Sequence, residues 1–385
     1  MKELHSNWKT SFWLILWMFI SACTPFGGKE TVTAKVIGAK EVPDGFTRAE
    51  QGRALQFPAD YGPHPGYQTE WWYYTGNLET ETGRHFGYQL TFFRRALVPP
   101  QGKAERTSNW ATEQVYMGHF ALSDTAGEEH HHFERFARGS AGLAGAAAEP
   151  YEVWLEDWRV NEQAPGIYAL SANQDEVVLD LILRDEKGPI LHGDQGYSQK
   201  GSNPGNASFY YSQTRLASSG KIKLKDEVYE VAGLSWKDHE FSTAALMSGQ
   251  IGWDWFSIQL QDGFDLMVFQ IRRADGSIDS FSSGTLIAPD GKPLNLNAKD
   301  FEVLVTDTWR SPGSGVEYPA GWTILIPGQD LELLVTPIMA DQEMEVSFIY
   351  WEGAVHVQGQ NGGKPVEGKG YVELTGYGTS MEGEF

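Results

Sequence analysis

The chain has 385 residues, with 51 Asp and Glu against 30 Lys and Arg and a formal charge of −21. That balance excludes nucleic acid as a partner, because phosphate binding needs clustered cations, and it argues against electrostatic docking on anionic lipid. Aromatic residues make up 13% of the chain and include 14 tryptophans; most belong in an ordinary core, but so free a use of tryptophan suits a fold with large apolar space to line.

Residues 1–22 read as an export signal. Lys2 and Lys9 accompany an apolar run over 12–20, shorter than the roughly 20 residues a spanning helix needs. Ile20-Ser21-Ala22-Cys23 has the form of a lipobox, in which Cys23 is acylated and becomes the first mature residue; a short retained membrane anchor is the alternative. Cys23 is the only cysteine, so a lipidated chain forms no disulfide and its core must hold it together. Thr24, not Asp, follows the cysteine, and residues 23–45 lack an apolar period and form a tether. The expectation is a lipid-anchored protein of the cell envelope, on the periplasmic face of the outer membrane.

Period-two alternation and turn residues dominate the remainder, and the predicted fold class is all-β. Glu70-Trp71-Trp72-Tyr73-Tyr74 opens a strand over 70–78, which returns over 85–93 as a hairpin. Strands are predicted at 115–122, 153–160, 167–172, 177–184, 207–216, 221–225 and 228–236. Residues 141–148 read as a Gly/Ala-rich loop, His130-His131-His132 as an exposed turn and 243–249 as weakly helical. Further strands fall at 252–260, 264–273, 301–305, 321–326, 331–336, 345–351 and 371–377, with turns at Asp262-Gly263, Asp275-Gly276 and Pro289-Asp290-Gly291. Gly252-Trp253-Asp254-Trp255-Phe256 repeats the design of the first hairpin, and both hairpins end in an arginine pair, Arg94-Arg95 and Arg272-Arg273. Two hairpins of one design predict two related barrels, over 46–245 and 246–385.

The densest polar and aromatic cluster is Trp236-Lys237-Asp238-His239-Glu240-Phe241. On a regular strand Trp236, Asp238 and Glu240 share one face, and Lys237, His239 and Phe241 the other. Such a strand either welds two barrels through ion pairs, with Asp238 or Glu240 meeting an arginine, or points acids into a cavity. Glu70 beside Trp71-Trp72, Asp254 between Trp253 and Trp255, and Glu352 after Tyr350-Trp351 repeat the theme of an acid among aromatics. Burial against rings keeps a carboxyl protonated and able to donate, and aromatic faces stabilise a nearby carbocation. No metal, nucleotide or other cofactor motif is present: no H-E-x-x-H, Walker loop or G-x-S-x-G elbow.

Tyr67-Gln68-Thr69-Glu70-Trp71-Trp72-Tyr73-Tyr74-Thr75-Gly76-Asn77-Leu78 resembles the opening signature of the carotenoid 1,2-hydratase (hydroxyneurosporene synthase) and AttH-like family. So do Gly193-Asp194-Gln195-Gly196-Tyr197-Ser198, the 236–241 cluster, Gly252-Trp253-Asp254-Trp255-Phe256, Tyr350-Trp351-Glu352-Gly353 and Gly370-Tyr371-Val372-Glu373-Leu374-Thr375-Gly376-Tyr377, in order from about 57 to about 380. The resemblance implies two lipocalin-like antiparallel barrels in tandem, an exported branch labelled as predicted secreted hydrolases, and activity on hydrophobic substrates, including water addition to isoprenoid double bonds. It places the Asp-His pair of hydratases at Asp238-His239, with Phe241 where they carry tryptophan. The expected function is binding of an isoprenoid or acyl-type ligand, with acid-assisted hydration or isomerisation of a C=C bond. Asp238 or Glu240 would donate the proton and His239 would orient it or activate water. Glu70, Trp72, Trp236, Trp253, Asp254, Trp255, Tyr350 and Glu352 would contact the ligand. A non-catalytic carrier serving a membrane transporter is the alternative, and a hydrolase relying on His239 a weaker one. The carrier requires every acid in the cavity to be paired; the enzyme requires a carboxyl facing the cavity without a cationic partner.

Overall fold

The computed structural model describes residues 44–383, apart from 103–107, 109 and 245. The export signal, Cys23 and nearly all of the tether lie outside the described residues. The first sheet is 13-stranded and antiparallel. Its strands are β1 (Thr69–Glu79), β2 (His85–Ala96), β3 (Gln114–Asp124), β4 (Glu129–Arg138), β5 (Ala144–Ala148), β6 (Tyr151–Leu155), β7 (Trp158–Ala164), β8 (Ile167–Gln174), β9 (Val177–Asp185), β10 (Pro189–Leu191), β11 (Tyr197–Gln199), β12 (Ala207–Leu224) and β13 (Glu227–Ser242). The second is 10-stranded. It comprises β14 (Gln250–Leu260), β15 (Asp265–Arg273), β16 (Ser283–Ile287), β17 (Pro293–Asn297), β18 (Glu302–Arg310), β19 (Glu317–Ile326), β20 (Leu331–Pro337), β21 (Glu343–Glu345), β22 (Ile349–Asn361) and β23 (Lys364–Leu374).

The first sheet runs β4-β3-β2-β1-β13-β12-β9-β8-β7-β6-β5 and curls until β3 and β4 pack on β5 and β6, a nearly closed barrel. The second runs β17-β16-β15-β14-β23-β22-β20-β19-β18 and forms a half-barrel. Each encloses its own core: Trp72, Tyr74, Phe86, Tyr151, Trp158 and Leu183 in the first, and Phe256, Trp322, Leu333, Trp351 and Val372 in the second. Large rings crowd the interior of the first barrel. The two sheets pack with β1–β2 on the β22–β23 hairpin and β14 on β12, through a third apolar cluster containing Tyr73, Trp236, Trp255, Phe269 and Tyr371.

The welding ion pairs expected at 238–240 sit elsewhere. Buried Asp265 takes Arg215 at 2.6 Å and Lys187 at 2.7 Å, joining the second sheet to the first. Several local expectations are corrected. Residues 144–148 are a strand, not a loop. The three histidines lie half-buried within β4, not in an exposed turn. The stretch 153–160 is two strands split at Glu156-Asp157, where Glu156 takes φ 57°. Residues 207–216 and 221–225 form one 18-residue strand, and β13 extends through Ser242. No helix forms at 243–249 among the described residues.

Candidate functional site in the cleft between the sheets

β13 is the partition. Its neighbours β1 and β12 hold it in register, with Tyr73 opposite Asp238 and Trp72 opposite His239. The alternation expected from sequence is realised: Trp236, Asp238 and Glu240 face the second sheet, and Lys237, His239 and Phe241 face into the first barrel. Between the sheets lies an open cavity of ≈ 130 Å³. Trp71, Phe93, Trp253, Trp255, Phe269 and Tyr350 give it an aromatic lining, and Asp238, Glu240, Glu373 and Lys200 are its charged groups.

Asp238 is buried at the back of this cavity. Trp236 Nε1 donates to Oδ1 at 2.6 Å, the Ser212 hydroxyl also donates to Oδ1, and Tyr210 OH donates to Oδ2 at 2.5 Å. Trp255 Nε1 donates to Tyr210 OH at 3.0 Å, so both sheets contribute to its setting. Among the described residues Asp238 has no ion pair. Burial dominates and lifts its carboxyl to about 7, although the Ser212, Tyr210 and Trp236 hydrogen bonds pull the other way. Glu240 differs: Lys200 Nζ lies 3.3 Å from it.

On the other face the acids are paired. Arg94 Nε donates to Glu70 Oε2 at 2.7 Å, while His64 Nδ1 and His239 Nε2 lie 2.7 and 2.9 Å from Oε1. His64 also contacts Asp60 at 2.8 Å, and Tyr211 OH lies 2.9 Å from His239 Nδ1. Burial alone would raise the Glu70 carboxyl, but the Arg94 charge and both imidazoles hold it well below the carboxylate range. Burial pulls His239 down to about 4, against the opposing pull of Glu70. His64, Glu70 and His239 bring donor atoms within 4.8 Å of one another, a set that could hold a metal ion. Each of those atoms is engaged in this network, however, and Arg94 holds the other Glu70 oxygen.

The sequence-predicted residues therefore divide. Asp238, Glu240, Trp253, Trp255 and Tyr350 line the cavity; Trp236 supports Asp238 from beneath, and Glu352 stands behind the wall. His239 and Glu70 are sealed inside the barrel with Trp72, whose ring stacks on His239 at 4.8 Å. The expected Asp238–His239 pair does not form, because successive residues of a strand point to opposite faces. Asp254 faces away from the cavity and pairs with Arg272 at 2.9 Å, the counterpart of Glu70–Arg94 in the first hairpin. Sequence reasoning missed Glu373, Tyr210, Ser212 and Lys200. The signal for Glu373 was present: the Gly362-Gly363 turn fixes a register in which Glu352 meets Glu373.

The AttH-like family model matches residues 48–377. The chain belongs to the AttH-like family. A crystal structure of an AttH protein from Nitrosomonas europaea is 36% identical to this AttH-like chain, covers 86% of it and 100% of its own length, and superposes with a TM-score of 0.77. Kievitone hydratase from Nectria haematococca shares the fold at 15% identity, with a TM-score of 0.66 over 87% of this chain and 96% of its own. No curated protein matches this AttH-like sequence significantly.

Proposed function

We propose that the cleft binds the unsaturated end of an apolar molecule and that Asp238 protonates it, giving acid-assisted hydration or isomerisation of a C=C bond. The observation that carries this reading is a cavity-facing carboxyl without a cationic partner among the described residues, set among aromatic rings. A carboxyl with its pKa near 7 is an effective general acid at neutral pH. The faces of Trp253 and Trp255 suit a developing carbocation. An engineered apolar cavity of about 150 Å³ holds benzene, so a space of ≈ 130 Å³ suits one ring or one prenyl group. The rest of a longer ligand would extend through the open mouth. The kinship in fold with a hydratase supports the same reaction class. His239 has no part in this reading, so the hydrolase reading, which relied on it, is not favoured. Export and acylation at Cys23 complete the proposal; Cys23→Ser is expected to move the protein from the membrane to the soluble fraction.

The test begins with native mass spectrometry and lipid extraction of protein from its own host. An acyclic carotenoid and kievitone are then incubated with native protein and Asp238→Asn, and the product mass is read. Gain of one water or an isomerised product, lost in the variant, is expected. A bound ligand returned unchanged by both proteins would favour the carrier and end the catalytic reading.

A further inference from the structure

A second acid group lies on the opposite wall of the cleft. β22 and β23 form one hairpin, and its register sets Glu352 directly opposite Glu373. Glu352 is buried and Glu373 half-buried, and the two carboxyls hydrogen-bond to each other. Trp253 Nε1 donates to Glu373 Oε1 at 2.6 Å, and Tyr73 OH, from the first sheet, donates to Glu352 Oε2 at 2.9 Å. Glu373 lines the cavity and Glu352 stands behind it. The ionisable groups facing the pair are Tyr73, Tyr350, Tyr371, Asp238 and Glu240. Among the described residues the one cavity-lining cation, Lys200, is paired with Glu240. Neither Glu352 nor Glu373 has an ion pair among the described residues.

A hydrogen bond between two carboxyls needs a proton, so the pair holds one. Glu352 is the donor within it. Burial and the adjacent Glu373 push its carboxyl well above the usual range. Burial lifts Glu373 to about 7, and the hydrogen bonds from Trp253 and Glu352 oppose that rise.

We propose that Glu373 is the second catalytic group of the cleft, the base that accepts a proton from water as that water adds to the alkene, and that Glu352 positions it. The proposal rests on the hydration reading above. Asp238 gives its proton to one alkene carbon, which forms a C–H bond and leaves the other carbon cationic. The water oxygen bonds to that carbon, and the surplus proton of the water passes to Glu373. Glu373 then loses this proton to solvent and Asp238 regains one, so the net change is alkene plus water to alcohol. Proton donor and base come from different sheets, which places them on opposite sides of a bound double bond.

The experiment combines ¹³C-carboxyl NMR titration of the native protein, Glu373→Gln and Glu352→Gln with turnover of the carotenoid and kievitone probes. The titration needs no substrate. Native protein is expected to show two glutamate signals moving together through one step near pH 7. That step disappears in Glu373→Gln and persists in Glu352→Gln, whose amide still donates to Glu373. General bases commonly contribute about 10²–10⁴-fold, so kcat is expected to fall by at least about 10²-fold in Glu373→Gln, with loss of the acid limb of the kcat/KM profile. Glu352→Gln is expected to fall less and to shift that limb. Separate titrations in the ordinary carboxylate range, or an unchanged profile in Glu373→Gln, overturn the proposal. A native protein that hydrates neither probe sinks the hydration reading and the role as base with it, while the coupled titration step would still identify a shared proton.

Discussion

Glu70 and Asp238 are almost equally deep, at 0% and 3% exposure, and they lie on adjacent strands, yet their carboxyls are pushed in opposite directions. Glu70 faces into a packed barrel with Arg94 and two imidazoles around it, and its ionised form is the stable one. Asp238 faces a cavity with only neutral donors around it, and its protonated form is favoured far into the neutral range. Depth alone therefore does not tune a carboxyl; for these two, the charged partners within hydrogen-bond reach decide the sign of the shift. Asp254 is the intermediate case: burial still raises its carboxyl, although the Arg272 charge and the Tyr377 hydrogen bond pull it down.

The comparison can be broken most severely at Arg94. Arg94→Met leaves Glu70 charged and buried without its partner, and removing one member of a buried pair costs about 3–5 kcal/mol. Urea unfolding at pH 7 should show a loss of that size; an unchanged midpoint would mean that the imidazoles alone carry the charge. Next in size is the pH response. Asp238 has its pKa raised on folding, so its contribution to stability is full below the unfolded value and is lost as pH rises through about 7. Asp238→Asn should consequently gain on native protein between pH 4 and pH 8, by up to about 4 kcal/mol at roughly 1.4 kcal/mol per pKa unit. Glu70 has its pKa depressed, so its contribution is lost only as pH falls below the ordinary carboxylate range, and Glu70→Gln should lose its penalty there. Parallel pH curves for the two variants would erase the distinction.

Much of this arrangement was legible in the sequence. The two faces of 236–241 followed from strand alternation, and the matched hairpins followed from two Trp-x-Trp or Trp-Trp openings with trailing arginines. What stayed hidden has physical reasons. The strand at 144–148 is built of glycine and alanine because a Cβ on Gly145 would sit 2.5 Å from the Trp154 ring, so neighbours select small residues against strand propensity. The break at Glu156-Asp157 lacks the glycine that marks most two-residue turns. Lys237 was visible as a face partner of His239, but not as an amine whose Nζ lacks a hydrogen-bond partner among the described residues and lies 4.3 Å from the Tyr151 ring.

That lysine sharpens the comparison at smaller scale. Burial pulls its amine down to about 7. Its unfolded form binds a proton up to about pH 10.4, so the native state is penalised below pH 7 and recovers as pH rises towards 10. Lys237→Met should stabilise by about 1–2 kcal/mol at pH 6, after allowance for the lost ring contacts, and by less at pH 9; differential scanning calorimetry at the two pH values would decide. The smallest expected effect is Trp255→Phe, which deletes the donor to Tyr210 OH and should cost about 0.5–1.5 kcal/mol. Its sharper readout is a displaced Asp238 titration in the carboxyl NMR spectrum.

The 16 residues of β13 face two environments by turns. Shifting such a strand by one position exchanges its faces. A single-residue deletion near Trp236 would therefore deliver Lys237 and His239 to the cleft and drive Asp238 and Glu240 into the sealed barrel, a failure no compensating point substitution could repair. The same deletion in the Lys225-Asp226 turn at the far end of the strand would leave every pairing from Tyr73 to Ser242 intact. Length variation within this lineage should accordingly collect at that turn and be absent from the middle of the strand.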